Sequence, residues 1–500
     1  MTEDSAGKQS ETAGIRCATT YEDTVLKPRY DAVKRLFWFY ITRADYAHAV
    51  MMAEQGLLSR EESKQILTAL RRLEQEIDQS LLSESAETFR SGKDFISDTK
   101  KYLLSLLPEG VGEKLYLFRN NNELLHTIFR IALKDRLSIL IGNLLSTLDG
   151  VLVCAKRDAA IAVPQDSSGI SNNPISWGNY LSGIAELLLK DCERLFLVLR
   201  NIDTCPLDIG SGIDRGIRFD RVRLAELLGF LQLQDNTLSS ALMDDCYLAT
   251  HEALQQLFFN ITKIAEDLLQ RVQSRTPHIW YPEKCEPITD ILEELRLLAL
   301  MTSHDAAAFI QSIQTLPVSK QKNIYFSLHM KGYQVFDSGI RILKLFDSMS
   351  RALKGDERAF LRKIDREGLV LTELNEHLIR EYQVSADSVH SIMKQLAHYL
   401  SENRLPATLL PFSVFQTVFQ EKIGSAPDMG EDTFKKLLSP YTFLNSHGIA
   451  NHFFTAMEPI LGRYEKQSFD LRIQLDSFMN RAQHADQILA KAVDDIISLE

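Results

Sequence analysis

The sequence predicts an all-α protein, with a long central antiparallel helical bundle and smaller helical N- and C-terminal domains. Two observations carry this. Only 23 Gly and 14 Pro interrupt 500 residues, so the chain has few places to break a helix. Within residues 111–355, apolar residues also recur at alternating spacings of three and four over five long stretches, which keeps them on one helical face. Tyr247, His251, Leu254, Phe258, Ile261, Ala265, Leu268 and Val272 form one such face, widened by Leu257, Ile264 and Leu269.

Taken in order, residues 1–25 read as a disordered tail, polar and without the apolar core of a signal peptide. Residues 26–110 form an N-terminal helical domain. One helix runs from Tyr30 to Gly56 and another from Ser59 to Ile77, where Ser59 and Glu62 make a capping box. Residues 84–100 are polar and loop-like. The central region, 111–355, holds helices over 122–158, 174–202, 244–273, 287–314 and 323–353. Ile139-Leu-Ile, Leu187-Leu-Leu and Leu195-Phe-Leu-Val-Leu are apolar all round, a pattern that packs against other subunits. Lys354-Gly-Asp-Glu-Arg reads as a linker to a C-terminal helical domain, 356–500, closed by an amphipathic helix over 457–498.

A net charge of −11 argues against nucleic acid and anionic membranes as partners. There is no run of about 18 uncharged apolar residues, so no membrane span is expected. The six cysteines, at 17, 154, 192, 205, 246 and 285, form no CxxC; neither zinc nor a disulfide framework is expected, and a reducing cytoplasm is. Gly210, Gly212 and Gly216 do not have dinucleotide-loop spacing and follow no strand pattern. HExxH, P-loop and GxSxG are absent, so no cofactor is expected.

The stretch from Cys205 to Leu269 carries a more specific signal. Its order is Pro206-Leu207, Gly210-Ser-Gly212, Phe219-Asp-Arg221, Leu228-Gly-Phe230, Asn236-Thr237, Asp245 and Ile264-Ala-Glu-Asp-Leu268. In order and spacing it resembles the argininosuccinate lyase branch of the fumarase/aspartase superfamily. The resemblance extends over about residues 30 to 465. It implies a homotetramer centred on the bundle, with each active site drawing on three subunits. It also implies an elimination: a base takes a proton beside a carboxylate and an amine leaves with fumarate.

The family's site motifs can be located, and each is altered. Leu117-Phe-Arg-Asn-Asn-Asn-Glu123 resembles the Thr-Gly-Arg-Ser-Arg-Asn-Asp motif; Arg119 and Asn122 match, and the second Arg is Asn121. Pro164 to Pro174 resembles the Thr-His motif, with Ser167 for the Thr, Ser168 for the His and Asn173 for a Gln. That His would titrate near neutrality, and a Ser does not. Pro277 to Pro287 resembles the flexible loop. It keeps Lys284, but His278 and Ile279 replace the serine pair that supplies the base. Leu316 to Tyr325 resembles the fourth motif, with Lys320 and Lys322 adding positive charge.

The resemblance therefore makes His278 and Ser168 the catalytic candidates. Arg119, Asn122, Ser167, Asn173, Lys284, Lys320 and Lys322 are the candidates for binding an anionic small molecule. His126 and Cys285 read as a packed helix residue and an ordinary thiol. Two readings are open: a lyase on a different carboxylate substrate, or a non-catalytic scaffold. The family's usual reaction is disfavoured, because three motifs lose catalytic groups together.

Overall fold

The computed structural model describes residues 18–82, 89, 93–116, 121–164, 174–207, 219–236, 244–273, 279–281, 287–315, 322–446 and 452–498. Among them are seventeen α-helices and three short two-stranded pairings. The all-α expectation is met.

Helix α1, Lys27–Glu54, is preceded by a π-helical turn at Glu22–Leu26, and residues 18–21 are helical too. The predicted tail is therefore helical from residue 18, ahead of the buried face that begins at Tyr30. Helix α2, Arg60–Leu82, opens on the predicted capping box. The Ser59 amide donates to Glu62 at 2.9 Å and the Glu62 amide to Ser59 Oγ at 3.3 Å. The polar stretch 84–100 is not loop throughout: α3 spans Phe95–Ser105, capped by the Asp94 carboxylate. Phe95, Thr99 and Leu103 bury one face of it, and tertiary packing overrides the polar composition. Helix α4, Val111–Leu115, completes this layer.

The bundle consists of α5 (Asn121–Arg157), α6 (Trp177–Ile202), α8 (Asp245–Gln273), α9 (Ile288–Gln314) and α10 (Lys322–Ala352), with the short α7 (Arg221–Leu227) before α8. These limits lie within a few residues of the predicted ones. Consecutive long helices alternate in direction. Tyr180 on α6 bonds Asp267 on α8, and Asp191 bonds Asn260, so the pairing runs in opposite senses. Five is an odd number, so α5 and α10 run parallel where they meet; Thr147 bonds the Leu343 carbonyl and Cys154 the Ser350 carbonyl. Gly178 lets α6 touch the end of α5, since a Cβ there would stand 2.4 Å from the Ala155 carbonyl oxygen.

Beyond the bundle, α11 (Glu357–Arg366), α12 (Leu371–Arg380), α13 (Ala386–Asn403), α14 (Phe412–Ile423), α15 (Glu431–Leu437) and α16 (Pro440–Ser446) enclose a second core. The stretch read as a linker is structured. Lys354–Gly355 forms strand β6, and Asp356 caps α11. The last helix, α17 (His452–Ser498), leaves the second core and returns to the first through Met457, Leu461, Leu475 and Leu489.

Helix α5 is the bundle's centre. Its stretch Glu123–Arg157 is long and apolar enough to cross a membrane, and two thirds of the apolar window is buried inside the protein. Asp149 within it accepts hydrogen bonds from Ser468 and Arg472 of α17, both at 2.6 Å. The predicted all-round apolar turns are covered on one side only. Leu140, Ile141, Leu188 and Leu189 are buried, while Ile139, Leu187 and Leu197 are exposed, as are Val153, Phe259, Leu297 and Met301.

A buried ion cluster ties these parts together. Lys134 of α5 pairs with Asp203, just after α6, and each side chain is 4% exposed. Lys134 also donates to the Gly229 carbonyl at 2.7 Å and lies over the Phe230 ring. Asp203 accepts from Arg481 of α17 at 2.7 Å and from the Leu231 amide at 3.2 Å. Burial pushes the Lys134 ammonium below its ordinary range, and Asp203 opposes that shift. Lys134→Met removes the more buried of the two cations on Asp203 and leaves its carboxylate to Arg481 and the Leu231 amide. Urea unfolding should show a loss of about 3–5 kcal/mol, whereas Lys190→Ala, at an exposed pair with Glu186, should leave the midpoint unchanged.

Candidate active site

The N-termini of α5, α8 and α10 meet at one end of the bundle. His126 lies in the second turn of α5, and its Nδ1 stands 3.2 Å from the hydroxyl of Tyr247, in the first turn of α8. The Tyr247 ring meets His329 of α10 edge-on at 4.5 Å. His329 stacks on Phe129 at 4.0 Å, and His251 stacks on Phe309 at 3.7 Å. His126, Tyr247, His251 and His329 are all buried. Beside them Arg130, also buried, donates to the Thr204 carbonyl at 2.7 Å and to Gln234 at 3.1 Å.

The imidazoles of this floor are uncharged, beside the charged Arg130. Burial lowers the His126 pKa to about 4, helped by the Arg130 charge. Burial likewise lowers His251 to about 4, and it holds His329 well below the ordinary range. The imidazoles are therefore neutral near pH 7 and too weakly basic to take a proton there. They shape the floor beneath three helix N-termini, whose amides and dipoles favour an anion.

The opposite end of the bundle is built on short strand pairs. Strand β1 (Ala162–Pro164) pairs antiparallel with β2 (Pro174–Ser176). In the second pairing, β3 (Thr204–Cys205) lies parallel to β4 (Gln232–Leu233), back toward the first end. The third joins β5 (Ile279–Trp280) antiparallel to β6. Trp177 is fully buried between the first and third pairs, with its ring against Gly355. Next to it, Tyr180 donates to Asp267 at 2.6 Å, Arg271 donates to the same carboxylate at 2.8 Å, and the guanidinium covers the Tyr180 ring.

Known proteins give this geometry a family. The profile of a lyase family matches residues 27–278, half of the chain. The chain belongs to the fumarase/aspartase superfamily of lyases. It is 26% identical to argininosuccinate lyase 2 of Agrobacterium fabrum over 433 residues, covering 85% of both chains. It is 22% identical to the argininosuccinate lyase of Methanocaldococcus jannaschii over 469 residues, covering 91% of this chain and 92% of that one. Among solved structures, an EDDS lyase in complex with formate superposes with a TM-score of 0.74 at 19% identity, covering 94% of each chain. That last likeness concerns the fold.

In this lyase-family chain the described residues that flank the motifs lie at opposite ends of the bundle. Arg119, Ser167, Ser168, Asn173, His278, Lys284 and Lys320 lie outside the described residues. Asn122 and Lys322 are described as helix positions only, in the first turn of α5 and at the start of α10. The described flanks of 117–120 and 316–321 share the end floored by His126. Those of 165–173 and 282–286 share the strand-paired end. Between the ends run the 37 residues of α5, about 55 Å of helix.

One altered position is described directly. Ile279, which the resemblance sets at a loop-serine position, is buried in β5 opposite Gly355. An apolar side chain held in a strand pair supplies no base. His329 and the Tyr180–Asp267–Arg271 cluster escape sequence reading altogether. The available signal for His329 is its place on the apolar face of α10, which reads as core.

The buried imidazoles also set a pH response. In the unfolded chain a histidine protonates near pH 6.5, whereas His126 and His251 in the fold hold out to about pH 4. The unfolded state thus binds more protons in that window, and stability is lost as pH falls from about 6.5 toward 4. Chemical denaturation across this range should show a decline that is shallower in His126→Gln, by up to about 1.4 kcal/mol per pH unit.

Proposed function

We propose that this protein is a C–N lyase acting on a carboxylate substrate other than argininosuccinate, in a homotetramer whose sites combine residues of different subunits. The carrying observation is the meeting of the α5, α8 and α10 N-termini at one end, beside sequence positions that add Arg119, Lys320 and Lys322. Helix dipoles and cationic side chains there favour a carboxylate. In the reaction, a base takes the proton from the carbon beside a carboxylate. The electron pair forms the new double bond as the C–N bond breaks, and nitrogen leaves with a proton as an amine.

The described histidines are too weakly basic for this step near pH 7, so the base comes from elsewhere. We assign it to His278, with Ser168 beside the leaving nitrogen, Lys284 on a carboxylate, and Ser167 and Asn173 lining the pocket. We place these positions at the other end of the bundle, where their described flanks lie, about 55 Å away along α5. A site holding both sets therefore needs a second copy of the chain. Exposed Val153, Leu187, Leu197, Phe259, Leu297 and Met301 supply apolar surface for that association. The replacement of the family's serine and histidine also supports a second reading, a binding protein without turnover.

Three measurements test the proposal. Light scattering should give a tetramer, and a single species of 56.9 kDa at micromolar concentration would overturn the shared site. Fumarate absorbance should stay flat with argininosuccinate and rise with another N-substituted aspartate. That turnover should fall roughly 100- to 10,000-fold in His278→Ala. Arg119→Ala and Lys284→Ala should each weaken the accepted ligand about 10- to 150-fold. Binding without turnover across such a panel selects the second reading.

A further inference from the structure

A groove of about 320 Å³ lies between α1, α2 and the far end of α17, away from both bundle ends. Its volume is at the small end of ligand cavities, which run about 300–1,000 Å³. Its lining combines opposite charges with an apolar wall. Arg43 from α1 is only 6% exposed. Its Nη2 faces Asp486 of α17 at 2.8 Å, while its buried Nε makes no hydrogen bond. Such an unspent buried donor is costly and uncommon. From α2, Glu74 accepts from the Tyr46 hydroxyl at 3.0 Å and keeps further acceptor capacity. Arg71, paired with Asp494, completes the polar rim. Phe39, Leu489, Ala490 and Val493 supply the apolar wall, and Phe39 is exposed although it lines the groove.

We propose that this groove is a second binding site, for a small zwitterion of the α-amino-acid class with an apolar side chain. The carboxylate meets the guanidinium fork of Arg43 at the Arg71 side. The ammonium meets Glu74, flanked by Asp486, and the side chain lies on Phe39, Leu489 and Val493. The charge balance selects this class. Arg43 faces Asp486, Arg71 faces Asp494 and Glu74 adds a third carboxylate, so a dicarboxylate would set its second charge against a carboxylate. A zwitterion places both charges well and gives Arg43 a further acceptor. The ligand would bridge α1 and α2 to α17, and so fasten the last helix where it passes the Lys134–Asp203 pair. The assignment stands apart from the proposed lyase site, since none of its residues is shared.

Calorimetric titration of the full-length protein tests it, using L-leucine, L-phenylalanine, leucinamide, N-acetyl-leucine and succinate. The free amino acids should bind. Leucinamide, lacking the carboxylate, and N-acetyl-leucine, lacking the ammonium, should each bind at least about tenfold more weakly. Succinate should not displace leucine. Ala490→Trp, at an exposed wall position, should abolish binding. Glu74→Gln, which keeps an acceptor for Tyr46, should weaken it about tenfold or more. Both variants should keep the parent's unliganded melting temperature and assembly. If Ala490→Trp unfolds, Glu74→Gln decides alone. No heat with either amino acid, binding indifferent to Glu74→Gln, or displacement by succinate would each overturn the assignment.

Discussion

The contact on which this architecture leans is the ion pair between Lys134 and Asp203. Both side chains are almost wholly out of water, and a buried charge is tolerable only when it is paired and hydrogen-bonded. Here the pair is satisfied from two places: the turn at 229–231, through the Gly229 carbonyl, the Phe230 ring and the Leu231 amide, and Arg481 of α17. The charges therefore do more than join α5 to the end of α6. They fix where the chain after α7 must pass and where the last helix must lie. An apolar core tolerates sliding, whereas a buried charge with directed bonds does not.

That constraint is felt at the end floored by His126. Arg130, one turn from Lys134 on α5, holds the Thr204 carbonyl and Gln234, at the two ends of the β3–β4 pairing. The same helix carries His126 toward Tyr247 of α8. Charges below and neutral aromatic side chains above thus position three helix N-termini together. The neutrality follows from desolvation. Imidazoles this deep stay uncharged, so they add no positive charge to the anion-favouring field of the helix ends.

Helix length sets the other functional condition. Long helices hold the described flanks of the two groups of motif residues at opposite ends of the bundle. The same length presents continuous flanks, where Leu197, Phe259 and Met301 face solvent in the isolated chain. Exposure of apolar flanks is a consequence of the same geometry.

The sequence by itself determined the class and the long helices, because Gly and Pro scarcity and three–four spacing are local properties. It also located the motif positions and the capping box at Ser59. Only the tertiary structure decided what those helices face. Periodicity marks a buried side without naming its partner, so α17 read as part of the C-terminal domain although it returns to the first core. Residues 95–100 read as loop because their composition is polar, yet Phe95 and Leu103 anchor them. Lys354-Gly read as a linker because a strand of two residues has no periodicity to detect. No sequence pattern pairs Lys134 with Asp203, since 69 residues separate them. Burial is a property of the packed neighbours rather than of the residue, and so are the neutrality of His126 and the unspent donor of Arg43.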